Sequence, residues 1–113
     1  MKILVLGAGR MGSVVAYDLL RSPGVRGVVL ADARREALRA VQQRLRNARL
    51  RVQRLEAEDS RGVLAALRAA DAAVCALPYR YNEALTRAAI EAGTHLCDLG
   101  GSHELVARQE RLD

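Results

Sequence analysis

The sequence predicts an α/β domain built on a doubly wound parallel sheet, and three observations predict it. Short runs rich in Val, Ile and Leu alternate with longer segments whose apolar residues recur every three or four positions, which is the pattern of βα units around a parallel sheet. A glycine-rich turn follows the first run directly. An aspartate closes the second run, 20 residues beyond the last glycine of that turn.

The first strand is read at residues 3–6, a continuous apolar run suited to burial on both faces. The first helix carries Ala16, Leu19 and Leu20 on one side, and Ser22-Pro23-Gly24 is expected to close it with a left-handed glycine. The second strand covers 28–31. In the helix after it, Leu38, Val41 and Leu45 share the inner face while Arg35, Arg39 and Arg46 lie outside. The third strand, 51–55, is weaker because Val52 and Leu55 alternate with charge. Leu64 and Leu67 mark the third helix, for which Asp59 or Ser60 is the cap.

A fourth strand at 72–76 ends before Pro78, which cannot donate into a ladder. Asn82 is expected to cap the fourth helix, whose inner side holds Leu85, Ala88, Ala89 and Ala92 and which Gly93 ends in a left-handed cap. The fifth strand is 95–98. A further helix is expected over 102–112. Right-handed crossovers then give strand order 3-2-1-4-5, with the reversal between strands 1 and 4. At 113 residues the chain fits one domain. It stops before the sixth strand that would complete a second mononucleotide half, so it is expected to be the front of a longer protein.

Composition narrows the function classes. With no Phe and no Trp, the core is built from Val, Leu, Ile and Ala. The net charge of +5 comes almost wholly from arginine, since Lys2 is the only lysine. Those arginines are spread along the chain and the only aromatics are Tyr17, Tyr79 and Tyr81, so a nucleic-acid partner is not expected. Cys75 and Cys97 make no metal-ligand spacing and read as small buried residues in a reducing cytoplasm. Neither His95 nor His103 has an acid partner or metal spacing in sequence, so no metal site and no catalytic histidine are assigned. No run approaches the roughly 20 apolar residues of a membrane span.

The turn Gly7-Ala8-Gly9-Arg10-Met11-Gly12 follows a strand, opens an amphipathic helix and is followed at the right distance by Asp32. Together these make the fingerprint of a dinucleotide-binding Rossmann domain. Gly7 permits the tight turn, Gly9 leaves room for a pyrophosphate, and Gly12 lets helix and sheet approach. The N–H groups at the start of the helix face the phosphates, with Met11 in the same turn, and Arg10 is placed either to add a charge-assisted contact there or to lie across the turn towards a second domain. Asp32 is placed to accept from the adenosine ribose hydroxyls, which favours NAD. Arg34 and Arg35 could offset its charge for NADP, the alternative cofactor.

The loop Ala76-Leu77-Pro78 lies on the switch-point side of the sheet, beside the nicotinamide half. Tyr79 and Tyr81 are placed either to contact nicotinamide or substrate, or to cover the sheet end. Asp98, before Gly100 and Gly101, is placed to touch ribose or substrate, or to satisfy the glycine turn. These two alternatives stay open.

With these segments in view, the chain resembles the N-terminal cofactor domain of the saccharopine dehydrogenase-like oxidoreductases, most closely their lysine 6-dehydrogenase branch. The likeness rests on residues 2–12, on Leu30-Ala31-Asp32, on Tyr81-Asn82-Glu83 and on Asp98-Leu99-Gly100-Gly101. It implies a cytoplasmic, oligomeric enzyme in which a nicotinamide takes a hydride from the carbon bearing an amino acid's amine. It also implies a second domain, absent here, that supplies the substrate-binding and acid–base residues. Leu77 and Pro78 carry over as nicotinamide-side contacts, and no catalytic residue carries over. The rival class is a regulatory nucleotide-sensing module like those that gate potassium channels and transporters, which open with a similar turn. The Leu77-Pro78-Tyr79 loop and the Asp98-Leu99-Gly100-Gly101 turn speak against it.

Overall fold

The computed structural model describes residues 1–98, with Tyr79 by its backbone alone. Five strands, β1 (Lys2–Leu6), β2 (Gly27–Asp32), β3 (Leu50–Arg54), β4 (Ala72–Cys75) and β5 (His95–Asp98), alternate with four helices. The helices are α1 (Arg10–Leu20), α2 (Arg35–Leu45), α3 (Ser60–Arg68) and α4 (Asn82–Ala92), and a 3-10 turn at Tyr79–Tyr81 precedes the last. All strand pairs are parallel and the order is β3-β2-β1-β4-β5, as the sequence predicts. The helix expected over 102–112, the Gly100-Gly101 turn and His103 lie outside the described residues.

Strand period sorts the core into two halves. Ile3 and Val5 point to the face covered by α1 and α2, where they meet Ala16, Leu20, Leu38 and Val41. Leu4 and Leu6 point to the other, against Val63 and Leu67 of α3 and Leu85 and Ala89 of α4. A run buried on both faces has no polar position to spare. Beyond β1 the ladder continues, with the Gly7 N–H donating to Ala31 O at 2.7 Å and the Ala76 N–H to Leu6 O at 2.7 Å. These two bonds bring the glycine turn beside the loop after β4, at the point where strand order reverses.

Helix ends repeat some expectations and correct others. Asp59 caps α3 by accepting from the Gly62 N–H at 3.1 Å. Gly93 takes φ +72° after α4. Gly24, by contrast, is not in left-handed backbone. The first helix ends at Arg21 in right-handed geometry, and the Ser22 carbonyl accepts from the Val25 N–H at 3.1 Å to turn the chain instead. Left-handed backbone falls on Arg46 after α2, at φ +42°. Asn82 does not cap α4. Tyr81 stands in the cap position with no side-chain bond, and Asn82 is buried as the first residue of the helix.

The two cysteines also part company. Cys75 is buried and Cys97 is exposed. Cys75 lies on β4, between β1 and β5 and under α4, whereas β5 pairs on one side only among the described residues and alternates exposed with half-buried positions.

Candidate functional site

The three glycines of the first turn do different things. Gly7 has φ +107°, and a β-carbon there would sit 2.9 Å from the carbonyl oxygen of Ala76, so both backbone conformation and space require glycine. Gly12 faces the same turn from inside α1, and a β-carbon on it would overlap the Gly7 carbonyl. Gly9 differs on both counts. Its backbone is extended, at φ −75° and ψ −164°, which any residue adopts. A β-carbon would meet only Arg34 Nη2, at 3.8 Å. The fold therefore has no need of glycine at this position.

Above Gly9 is the start of α1, which has no side-chain cap and no acidic residue in its first turn. Arg10 and Met11 are exposed there. Unpaired N–H groups at the positive end of a helix dipole suit an anion. Gly9, Arg10, Met11 and Gly12 are thus brought together in the way the fingerprint requires.

Asp32 ends β2 with only 5% of its surface exposed. Four hydrogen bonds converge on its carboxylate. Oδ2 accepts from the Ala8 N–H at 2.7 Å and from Arg34 Nη2 at 3.1 Å. Oδ1 accepts from the Arg34 N–H at 2.8 Å and from Arg34 Nε at 3.1 Å. Burial pushes the Asp32 carboxyl up, but the bonds from the Arg34 side chain, the Ala8 N–H and the Arg34 N–H together outweigh it and leave the group below its ordinary value. The pair is asymmetric in exposure, since 62% of the Arg34 side chain is open to solvent.

A cleft of about 390 Å³ opens at the C-terminal ends of the strands, between Leu6, Asp32, Arg34, Leu55, Leu77 and Pro78. This is where ligands of doubly wound sheets are held. Leu77 and Pro78 line it. Arg80 and Tyr81 also reach it, with the Arg80 guanidinium 4.9 Å from the Tyr81 ring centroid. Ala76 is half-buried and is held to β1 by its N–H. Asp98 sits in register with Cys75 on the neighbouring strand, at the same end of the sheet. The side chain of Tyr79 lies outside what is described.

Three contacts were not anticipated from sequence. The Ala8 N–H reaches Asp32 across 24 residues of chain. Arg34 folds back on Asp32, for which the spacing of the two is the only sequence signal. The third is the pair in which Cys75 Sγ donates to Asn82 Oδ1 at 3.4 Å, behind the switch point. Burial pushes the Cys75 thiol up, opposed by the Leu77 N–H, with the Asp98 charge adding to the rise. This sulfur is a core group.

The family described as the saccharopine dehydrogenase NADP binding domain matches residues 3–112. The chain belongs to that family. Of the two families weighed from sequence, the match is to that of saccharopine dehydrogenase. Solved structures of three other proteins illustrate the shared fold. Apo saccharopine dehydrogenase (L-Glu forming) from Saccharomyces cerevisiae superposes with TM-score 0.76 at 18% identity, covering 94% of this chain and 23% of its own. A scyllo-inositol dehydrogenase from Lactobacillus casei with bound NAD(H) and scyllo-inositol gives 0.76 at 17% identity, covering 99% and 32%. A short-chain dehydrogenase/reductase from Veillonella parvula in complex with NADP gives 0.68 at 13% identity, covering 86% and 46%. The chain therefore spans less than half the length of each. Among the described residues no helix is long and apolar enough to cross a membrane.

Proposed function

We propose that this saccharopine dehydrogenase-family Rossmann domain binds NAD or NADP across the Gly7–Gly12 turn and serves an oxidoreductase acting at the C–N bond of an amino acid. Gly9 carries the reading. It is the one glycine of the turn that neither backbone conformation nor packing explains, and it lies at an uncapped helix N-terminus beside a buried aspartate. A side chain missing without structural cause marks a place where something else must approach closely.

The residues present fit a dinucleotide. The turn from Gly7 to Gly12, with Arg10 and Met11, would hold the pyrophosphate, and Asp32 with Arg34 the adenosine ribose. Ala76, Leu77 and Pro78, with Tyr79 and Asp98 on the same side, would lie towards the nicotinamide. When bound, the nicotinamide supplies hydride acceptance or donation. This chain contributes binding and orientation, and no described residue is assigned to acid–base work. Substrate recognition, oligomer formation and a cytoplasmic setting belong to the same proposal, through a second domain in the longer enzyme.

Calorimetric titration of the 113-residue chain tests it. Saturable, weak binding of NAD or NADP is expected, with no oxidation of saccharopine or lysine by this chain alone. Absence of binding to either dinucleotide would sink the cofactor reading, and measurable amine oxidation would sink the division of labour.

A further inference from the structure

We propose that Arg34 is a displaceable latch on Asp32 that decides which dinucleotide the domain accepts. This rests on the nucleotide-binding reading above and concerns the ribose end of the same site. An ionised carboxylate has about four acceptor positions on its two oxygens. At Asp32 all four are taken by the chain itself, two by the Ala8 and Arg34 N–H groups and two by the Arg34 side chain. A ribose diol has no acceptor position left to it.

The two kinds of occupant are not equally fixed. The backbone donors sit in the turn and at the start of α2, and their positions are set by the fold. The guanidinium is different, because its side chain is 62% exposed and rotates on flexible bonds. Only it can leave without unfolding anything. Two hydroxyls could then take the two positions that Nε and Nη2 vacate.

The latched arrangement is itself a binding surface. A guanidinium has five N–H donors, and the pairing with Asp32 engages Nε and one N–H of Nη2. The three remaining face away from the carboxylate, and Nη2 stands 3.8 Å from where a Gly9 β-carbon would be. With Asp32 neutralised in place, a 2′-phosphate finds a fork of donors where it would otherwise meet a bare negative charge. Latched, the site suits NADP. Unlatched, it suits NAD, and NAD affinity is reduced by the fraction of time the carboxylate is covered.

The latch makes a prediction that a simple phosphate contact does not. Removing the guanidinium should strengthen NAD binding as well as weaken NADP binding. Calorimetric titration of the 113-residue chain with each dinucleotide, for the parent, Arg34→Met and Arg34→Lys, reads both effects. Arg34→Met is expected to bind NAD about fivefold more tightly or better and NADP about tenfold more weakly. Arg34→Lys keeps the charge without the fork, so it should gain NAD affinity while losing less NADP affinity than the methionine variant.

Nitrogen NMR of the Arg34 Nε–H adds a direct readout, expected to shift on saturation with NAD and to stay near its free position with NADP. An Arg34→Met variant whose NAD affinity is unchanged or weaker overturns the latch, as does an Nε–H resonance that saturating NAD does not move. If neither parent nor variants bind either dinucleotide, the proposed function itself fails and the latch with it.

Discussion

Gly12 and Gly7 face each other so closely that no β-carbon fits on the first without striking the carbonyl of the second. That contact is between a helix and the backbone of a turn, with no flexible side chain to give way. It separates the turn's glycines into those the fold needs and the one it does not.

Gly12→Ala should therefore be a folding mutation and Gly9→Ala a binding mutation. Forcing a methyl into a packed backbone costs about 1–3 kcal/mol, which for a domain of this size is a fall of about 5–15 °C in thermal midpoint. Gly9→Ala should leave the midpoint within about 2 °C, because extended backbone and open space accept a methyl group. Its effect should appear as lost NAD and NADP affinity, with Gly9→Val the more severe. Differential scanning calorimetry and fluorescence titration on the same samples check both. A Gly9→Ala domain that binds as the parent does would remove the pyrophosphate from this turn.

The depressed Asp32 pKa gives a stability difference with a definite sign. Its carboxyl titrates lower in the folded chain than its ordinary value of 3.8, so the stabilisation is complete above that value and is lost as pH falls through the folded pKa. Asp32→Asn is expected to cost about 1 kcal/mol or more at neutral pH, because the Ala8 N–H loses a charged acceptor in a buried position. The gap between parent and variant should narrow on acidification to about pH 3. Thermal melts of both proteins between pH 7 and pH 3 measure it, and a gap that widens in acid would contradict the assignment.

Asn82 offers a test of burial against capping. As an N-cap, Asn82→Asp would be nearly neutral and Asn82→Ala the damaging change, by about 1 kcal/mol. As a buried partner of Cys75, the order reverses at neutral pH, since an aspartate would bring a charge into a buried site. Urea melts should rank Asn82→Ala above Asn82→Asp, and equal stability of Asn82→Asp and the parent would restore the capping role.

Much of this architecture was legible because it depends on periodicity. The continuous run at β1 could only be a strand buried on both faces, and its alternate residues do divide between two helix layers. The turn and Asp32 were legible because spacing along the chain fixes them on adjacent strand ends. What escaped were contacts that spacing does not carry. Asn82 has cap propensity, but Cys75 seven residues earlier draws it inward. The composition around Cys97 is apolar, yet burial depends on what covers β5 rather than on neighbours in sequence. The saturation of Asp32 depends on one arginine rotamer and on a backbone donor from another loop.

At the flank of the sheet, β3 presents exposed Arg51, Gln53 and Arg54 and pairs only with β2 among the described residues. An open strand edge is a template on which another chain's strand can grow into an aggregate, and charged side chains along it are a common safeguard. Two copies approaching through this flank would set arginines against arginines before any ladder could close. The weak apolar character that made this strand the hardest to read thus leaves charge along its open edge, and the repulsion between such edges fades as salt shortens the reach of those charges.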